Sequence, residues 1–302
     1  MIDEYVNKLI ENLPDDSKHI QRLDLVLDGG IFNGSYLVGA LYFIKEMERR
    51  NYVTIERISG CSIGSLVGFL YVIDSLDLMP ALYDIVKTEF KNNMSLNKIK
   101  KLKYYLKDRI SNDICSKVNG KLFICYNDIS RHKKITKSCY KNADDIIDTI
   151  IKSCYIPLLI DNNILYKKKY IDGLNAYIFK KEPNKKILHM ELFGTDKFFY
   201  AINIKNEKSN FHRILSGLLD VHSFFIKKSN TSMCSYIDNW NIINKFHYNM
   251  KLTIEFIIIY IMYFINYIKK YVPEELKDHI LIKIISKILV DIFRIIMDTY
   301  CL

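Results

Sequence analysis

The chain offers little to a metal ion or a disulfide. Its 302 residues include seven cysteines, an odd number at no regular spacing. That argues against a disulfide framework and for a reducing compartment. There is no C-x-x-C pair or Cys/His cluster with the spacing of a zinc site, and no acidic calcium loop. The N-terminus, MIDEYVNKLIENLPDDSK, lacks the apolar run of a secretory signal, so a cytoplasmic location is expected. Internal repeats and long low-complexity linkers are missing. Basic charge is present without a nucleic-acid-binding motif, and no nucleic acid partner is expected.

The hydrophobic fraction is 49%, enough for one large domain or a domain with an appendage. The net charge of +10 and pI of about 9.0 favour an acidic partner. Basic residues gather at Lys98 to Arg109, Arg131 to Lys134, Lys167 to Lys169 and Lys180 to Lys186. Such runs read either as solvated helix faces or as attraction to anionic lipid, worth on the order of 1 kcal/mol per Lys or Arg near the surface.

Residues 3 to 12 predict a short helix ending before Pro14. The stretch 22 to 27, RLDLVL, reads as a buried strand of a mostly parallel sheet. Gly34 opens a helix with Leu37, Val38, Leu41, Ile44 and Met47 on one face. Val53, Ile55 and Ile58 form a second strand, and Ser62 to about Ile73 an apolar, buried helix. Residues 80 to 118 look mainly helical. Leu122 to Tyr126 is a third strand, with Lys134 to Lys137 returning as a hairpin. A helix over Ala143 to Cys154 ends at Pro157; Ile164 to Ile171 and Lys186 to Leu192 read as further strands. Alternation of this kind predicts a layered α/β domain. We divide the chain into an N-terminal helical segment (1–20), a core (21–205) and a helical C-terminal region (206–302).

Two strand-to-helix turns carry the chemistry. Gly60-Cys61-Ser62-Ile63-Gly64 is a G-x-S-x-G sequence, whose glycines allow a sharp, crowded turn that lifts the serine hydroxyl clear of the backbone. The neighbouring helix N-terminus favours developing negative charge. The earlier turn, Asp28-Gly29-Gly30-Ile31-Phe32-Asn33-Gly34, can present unpaired N–H groups to an oxyanion. Either turn alone is weak; both together, each after an apolar strand and before an apolar-periodic helix, point to nucleophilic catalysis.

At these residues the sequence resembles the patatin-like phospholipase family, which follows the same two turns with a D-G-[GA] motif. Here that motif is Asp172-Gly173-Leu174, preceded by Ser153-Cys154-Tyr155-Ile156-Pro157, similar to the family's Ile-Pro segment. The resemblance covers about residues 20 to 200. It implies a patatin-like layered α/β fold with a mostly parallel central sheet flanked by helices. It further implies a Ser–Asp dyad with Ser62 as nucleophile and Asp172 as base, needing no histidine, cofactor or metal. The oxyanion hole would be the N–H groups of Gly29, Gly30 and Ile31, with Gly34, Gly60, Gly64 and Gly173 supporting the turns. Three positions depart from the family pattern G-G-G-x-[KR]-G and D-G-[GA]. Ile31 replaces the third glycine and Asn33 the basic residue, and Leu174 follows Asp172-Gly173. A β-branched residue takes positive φ only at a cost, so the turn is expected to suit Ile31; Asn33 is expected to keep a donor near the oxyanion.

The implied activity is that of a lipid acyl hydrolase of phospholipase A type, with an acyl-lipid substrate. An anionic membrane surface and a homodimer are further expected partnerships. Two alternatives stand beside it: an α/β-hydrolase triad with His189, His212 or His222 as base, and a membrane-binding protein of this fold with little activity. The C-terminal region holds the most apolar stretch, residues 251 to 270, unbroken only from Phe256 to Ile265. That is short of the about 20 apolar residues of a bilayer span. A last helix is expected from Pro273 to about Tyr300. Capping of the core, contact with a membrane surface and dimerisation are the three roles open to this pair, capping being favoured.

Overall fold

The computed structural model describes residues 2–13, 20–111, 113–194, 197, 199–205 and 207–271, with three isolated positions at 291, 295 and 299. In chain order the elements are α1 (Ile2–Glu11), β1 (Gln21–Leu27), α2 (Gly34–Arg49), β2 (Val53–Cys61), α3 (Ile63–Val72) and α4 (Met79–Asn93). Then come α5 (Leu102–Tyr105), α6 (Ile114–Val118), β3 (Leu122–Asp128), β4 (Lys133–Lys137), α7 (Ala143–Ser153) and β5 (Tyr170–Asp172). The remainder is β6 (Lys185–Met190), α8 (Phe211–Lys227), β7 (Cys234–Tyr236) and α9 (Ile242–Tyr271). The expected helix from Pro273 lies outside the described residues apart from the three isolated positions.

Seven strands form one sheet in the order β4-β3-β2-β1-β6-β7, with β5 also on β3. The pairs β1–β2, β1–β6 and β2–β3 are parallel, and β4, β5 and β7 join antiparallel. Period-2 alternation in β1 decides the two faces. Leu23, Leu25 and Leu27 enter the main core with residues of α2, α3, α7 and α8. Val26 turns to the other face with Cys61, Cys125, Ala176 and Phe179. A further apolar cluster, including Phe32, Tyr83, Phe90, Leu96, Tyr155 and Ile160, fills the space below α4.

Helices α2 and α8 cross with backbone against backbone. A Cβ on Gly39 would lie 1.8 Å from the Ile214 carbonyl oxygen, and one on Gly217 1.9 Å from that of Tyr36. Only glycine fits either position.

The stretch 80 to 118 is mainly helical, as expected, with α4 followed by brief helical turns, and several of its basic residues are paired. Lys98 pairs with Glu89, Lys100 with Asp161, Lys103 with Asp144, and Arg109 with Asp77. The strand expected over Ile164 to Ile171 is confined to Tyr170–Asp172, with one isolated bridge between Tyr166 and Tyr170. Lys167 and Lys168 both take positive φ, which interrupts an extended strand.

The longest helix, α9, is amphipathic the wrong way round for a core helix. Lys251 and Glu255 face the sheet, and Glu255 is buried. One turn further on, Ile259, Met262 and Tyr263 pack on Ile129, Leu165 and Ile171. Ile254, Phe256, Ile257, Tyr260, Ile261 and Phe264 are exposed, Phe264 to 61%. By length and composition Ile242–Ile268 is apolar enough to cross a membrane, with mean hydropathy 1.5. Docked through two charged residues, however, it lies along the domain.

Candidate active site

The site forms where β1 and β2 end. Parallel sheets present their C-terminal strand ends as a crevice, and both glycine turns open there. Ser62 sits between β2 and α3 at φ 50°, ψ −131°, a region that costs a non-glycine residue roughly 1–3 kcal/mol. The flanking glycines make that turn sterically feasible. A Cβ on Gly60 would lie 2.6 Å from the Gly64 carbonyl oxygen, and one on Gly64 2.5 Å from that of Leu27. Gly29 lies directly against the serine: its added Cβ would be 2.9 Å from the Ser62 Cβ. The two turns predicted from sequence therefore meet.

Asp172 ends β5, opposite Tyr126 of β3, and is 5% exposed. Burial pushes its pKa from 3.8 up to about 6. The neighbouring Ser62 hydroxyl and the Leu174 N–H, which donates to Oδ1 at 2.8 Å, pull it down; Glu255 raises it further, and Lys134 opposes the rise. A carboxyl raised in this way exchanges its proton nearer neutral pH than an exposed one. The Ser153–Pro157 block ties the two sides together. The Ser62 N–H donates to Ser153 Oγ at 2.9 Å, and that hydroxyl donates to the Cys125 carbonyl at 2.6 Å. The Asp172 N–H donates to the Tyr155 carbonyl at 3.0 Å. Ser153 thus fixes the Ser62 turn, a role the sequence does not announce.

Among the described residues the N–H groups of Gly29, Gly30 and Ile31 donate to no protein acceptor, as an oxyanion hole requires. The turn does not suit Ile31, contrary to expectation: it takes φ 47°, in the left-handed region. Leu174 does the same at φ 53°. Both positions where the chain departs from the family's glycine or small residue are thus ones that glycine would occupy without strain. Asn33 is a second correction. Its amide points inward, donating to the carbonyls of Leu192 (3.0 Å) and Lys197 (2.9 Å). Its Oδ1 accepts from Arg213 of α8 at 2.8 Å. Arg213 is 1% exposed and ion-paired with Glu207, so a buried guanidinium stands behind the turn from another element.

Asp28, at the head of the first turn, is held by His189 Nε2 and Lys251 Nζ, each at 3.2 Å. Burial alone would raise its pKa, but His189 and Lys251 hold it down at about 2. This commits His189 to Asp28. His212 is exposed beside Glu207, and His222 rests on the Phe43 ring. None of the three candidate histidines is hydrogen-bonded to Ser62. Cys61 lies buried with its thiol toward the Leu174 carbonyl, and burial raises its pKa well above the thiol range, which makes it inert packing.

Beside Ser62 an open pocket leads toward the cluster below α4. Its lining is almost wholly apolar, including Ile63, Leu66, Met79, Leu82, Val86 and Ile156. Among the described residues no group of His, Cys, Asp and Glu side chains is arranged to hold a metal ion.

The family model of patatin-like phospholipases matches residues 25–175, and the chain belongs to that family. Over 163 residues it is 26% identical to the mouse 1-acylglycerol-3-phosphate O-acyltransferase Pnpla3, covering 51% of this chain and 39% of the mouse protein. The family and this relative place the chain among lipid hydrolases and acyltransferases.

Proposed function

We propose that the protein is a lipid acyl hydrolase of phospholipase A type, working through Ser62 and Asp172. The observation that carries this reading is a buried Ser–Asp pair at an open apolar pocket, beside three unpaired backbone N–H groups. With the acyl chain in the pocket, Ser62 Oγ attacks the ester carbonyl and Asp172 accepts the hydroxyl proton. The N–H groups of Gly29, Gly30 and Ile31 hold the tetrahedral oxyanion. Its collapse releases the lipid alcohol, which takes the proton back from Asp172. Water, deprotonated by Asp172, then attacks the acyl-enzyme and frees the fatty acid and Ser62.

Fatty-acid release from mixed phospholipid vesicles, with calcium chelated and products read by mass spectrometry, tests the reading. Wild type releases fatty acid and Ser62→Ala does not. Equal release from both would remove Ser62 from the chemistry. A second reading rests on the mouse relative's acyltransferase name: an alcohol in place of water would receive the acyl group. Adding 1-acylglycerol-3-phosphate to the same assay distinguishes the two, since transfer yields a diacyl product.

The substrate's location is part of the proposal. The outer face of α9 is apolar. The His132 and Tyr263 rings meet at a tilt with centroids 3.9 Å apart, and the Ile129 N–H donates to the Lys169 carbonyl at 2.8 Å, so the basic segments at 131–134 and 167–169 lie together beside the helix. Arg131, Lys133, Lys168 and Lys169 are exposed around it. An apolar strip edged with positive charge suits an anionic membrane surface.

A further inference from the structure

Glu255 stands far from the family-matched residues in sequence, yet it reaches the surroundings of Asp172. Its Oε1 accepts from Asn127 Nδ2 at 3.2 Å, and its Oε2 from Asn175 Nδ2 and Lys134 Nζ, each at 2.9 Å. The same Asn127 amide donates to the Asp172 carbonyl at 2.9 Å. Asn175 follows Leu174 in the turn that holds the carboxylate, and it also donates to the Lys251 carbonyl of α9 at 3.4 Å. One carboxylate therefore gathers both ends of the Asp172–Asn175 turn.

We propose that α9 is part of the active site, with Glu255 a positioning residue that holds the Asp172 turn against Ser62 through Asn127, Asn175 and Lys134. The inference rests on reading Ser62 and Asp172 as the catalytic dyad. A buried carboxylate costs several kcal/mol unless it is paired and hydrogen-bonded, and here three donors meet it. A helix could be fastened to the sheet without placing a second negative charge beside the base. That like charge disfavours ionisation of Asp172 and so tunes the base toward neutrality. The other groups facing Asp172 are Ser62, Cys61 of β2, Cys154 after α7 and Lys134 of β4. Glu255 faces Lys134, the two asparagines and Tyr248. Lys134 and Glu255 are thus opposed influences on one carboxylate.

The test is the titration of the Asp172 side-chain carbon by ¹³C NMR in the full chain, assigned by the loss of that signal in Asp172→Asn. Glu255→Gln is expected to move the titration to lower pH, and Lys134→Met to higher pH. General loosening of the fold would not produce shifts of opposite sign. In parallel, hydrolysis by Glu255→Gln is expected to show kcat lowered roughly ten- to a hundred-fold, with KM little changed and the acidic limb moved the same way. An unmoved Asp172 titration in both variants would overturn the inference, whatever the turnover. Failure of the dyad reading would show differently, as hydrolysis that survives Ser62→Ala or Asp172→Asn.

Discussion

At the scale of the residue, the site is built from groups held where they would not otherwise stay. Ser62, Ile31 and Leu174 take positive φ, and Asp172 is a carboxylate in a buried position. The last has a consequence for stability. Its folded pKa, about 6, lies above its ordinary 3.8. The folded state therefore binds the proton more tightly than the unfolded one. The associated stabilisation is fully present below pH 3.8 and is lost as pH rises through about 6. Asp172→Asn escapes that loss, so it should abolish turnover while raising stability at pH 7–8 by on the order of 2 kcal/mol. The gain should vanish at pH 3.5. Urea unfolding at the two pH values measures both, and a variant less stable than wild type at pH 8 would contradict the burial argument.

At the scale of the element, the glycine turns were legible in the sequence, and their supports were not. Gly60, Gly64 and Gly29 stand where no side chain fits, and steric necessity of that kind leaves a short, local pattern. The buried Arg213 meeting Asn33 leaves none, because nothing near Asn33 in sequence foretells a partner on α8. The positive φ of Ile31 was equally hidden, since a β-branched residue argues against it. The α2–α8 crossing connects these facts: α8 brings Arg213 to the oxyanion turn only because Gly39 and Gly217 let the backbones touch. Gly217→Ala would place a methyl 1.9 Å from the Tyr36 carbonyl oxygen, and neither backbone can yield cheaply. We expect a loss of about 1–3 kcal/mol in urea unfolding, accompanied by reduced kcat. Reduced stability with unchanged kcat would show that the crossing does not position the turn.

At the scale of the molecule, the mostly parallel α/β sheet followed from the alternation of apolar strands and helices, but its strand order did not. Nor did the orientation of α9. In the sequence, Glu255 reads only as the residue that interrupts an apolar run, because its partners Asn127, Lys134 and Asn175 lie about 80 to 130 positions away. With the polar stripe turned inward, the apolar stripe is left exposed, and it is the face we propose for a lipid surface. Phe256→Glu with Phe264→Glu, both at exposed positions, should weaken co-sedimentation with anionic vesicles while leaving hydrolysis of a soluble short-chain ester unchanged. Undiminished co-sedimentation would move the membrane contact elsewhere.

The place of Glu255 in the chain also sets an order of events during synthesis. Ser62 and Asp172 leave the ribosome first, and Glu255 follows roughly 80 residues later. At about 5–20 residues per second, that interval is on the order of 4 to 16 seconds. Throughout it, the nascent chain carries a serine and an aspartate whose surroundings are unfinished. On the proposed reading, the Ser62–Asp172 pair is therefore made before the carboxylate that adjusts it, and the site is completed only when α9 docks.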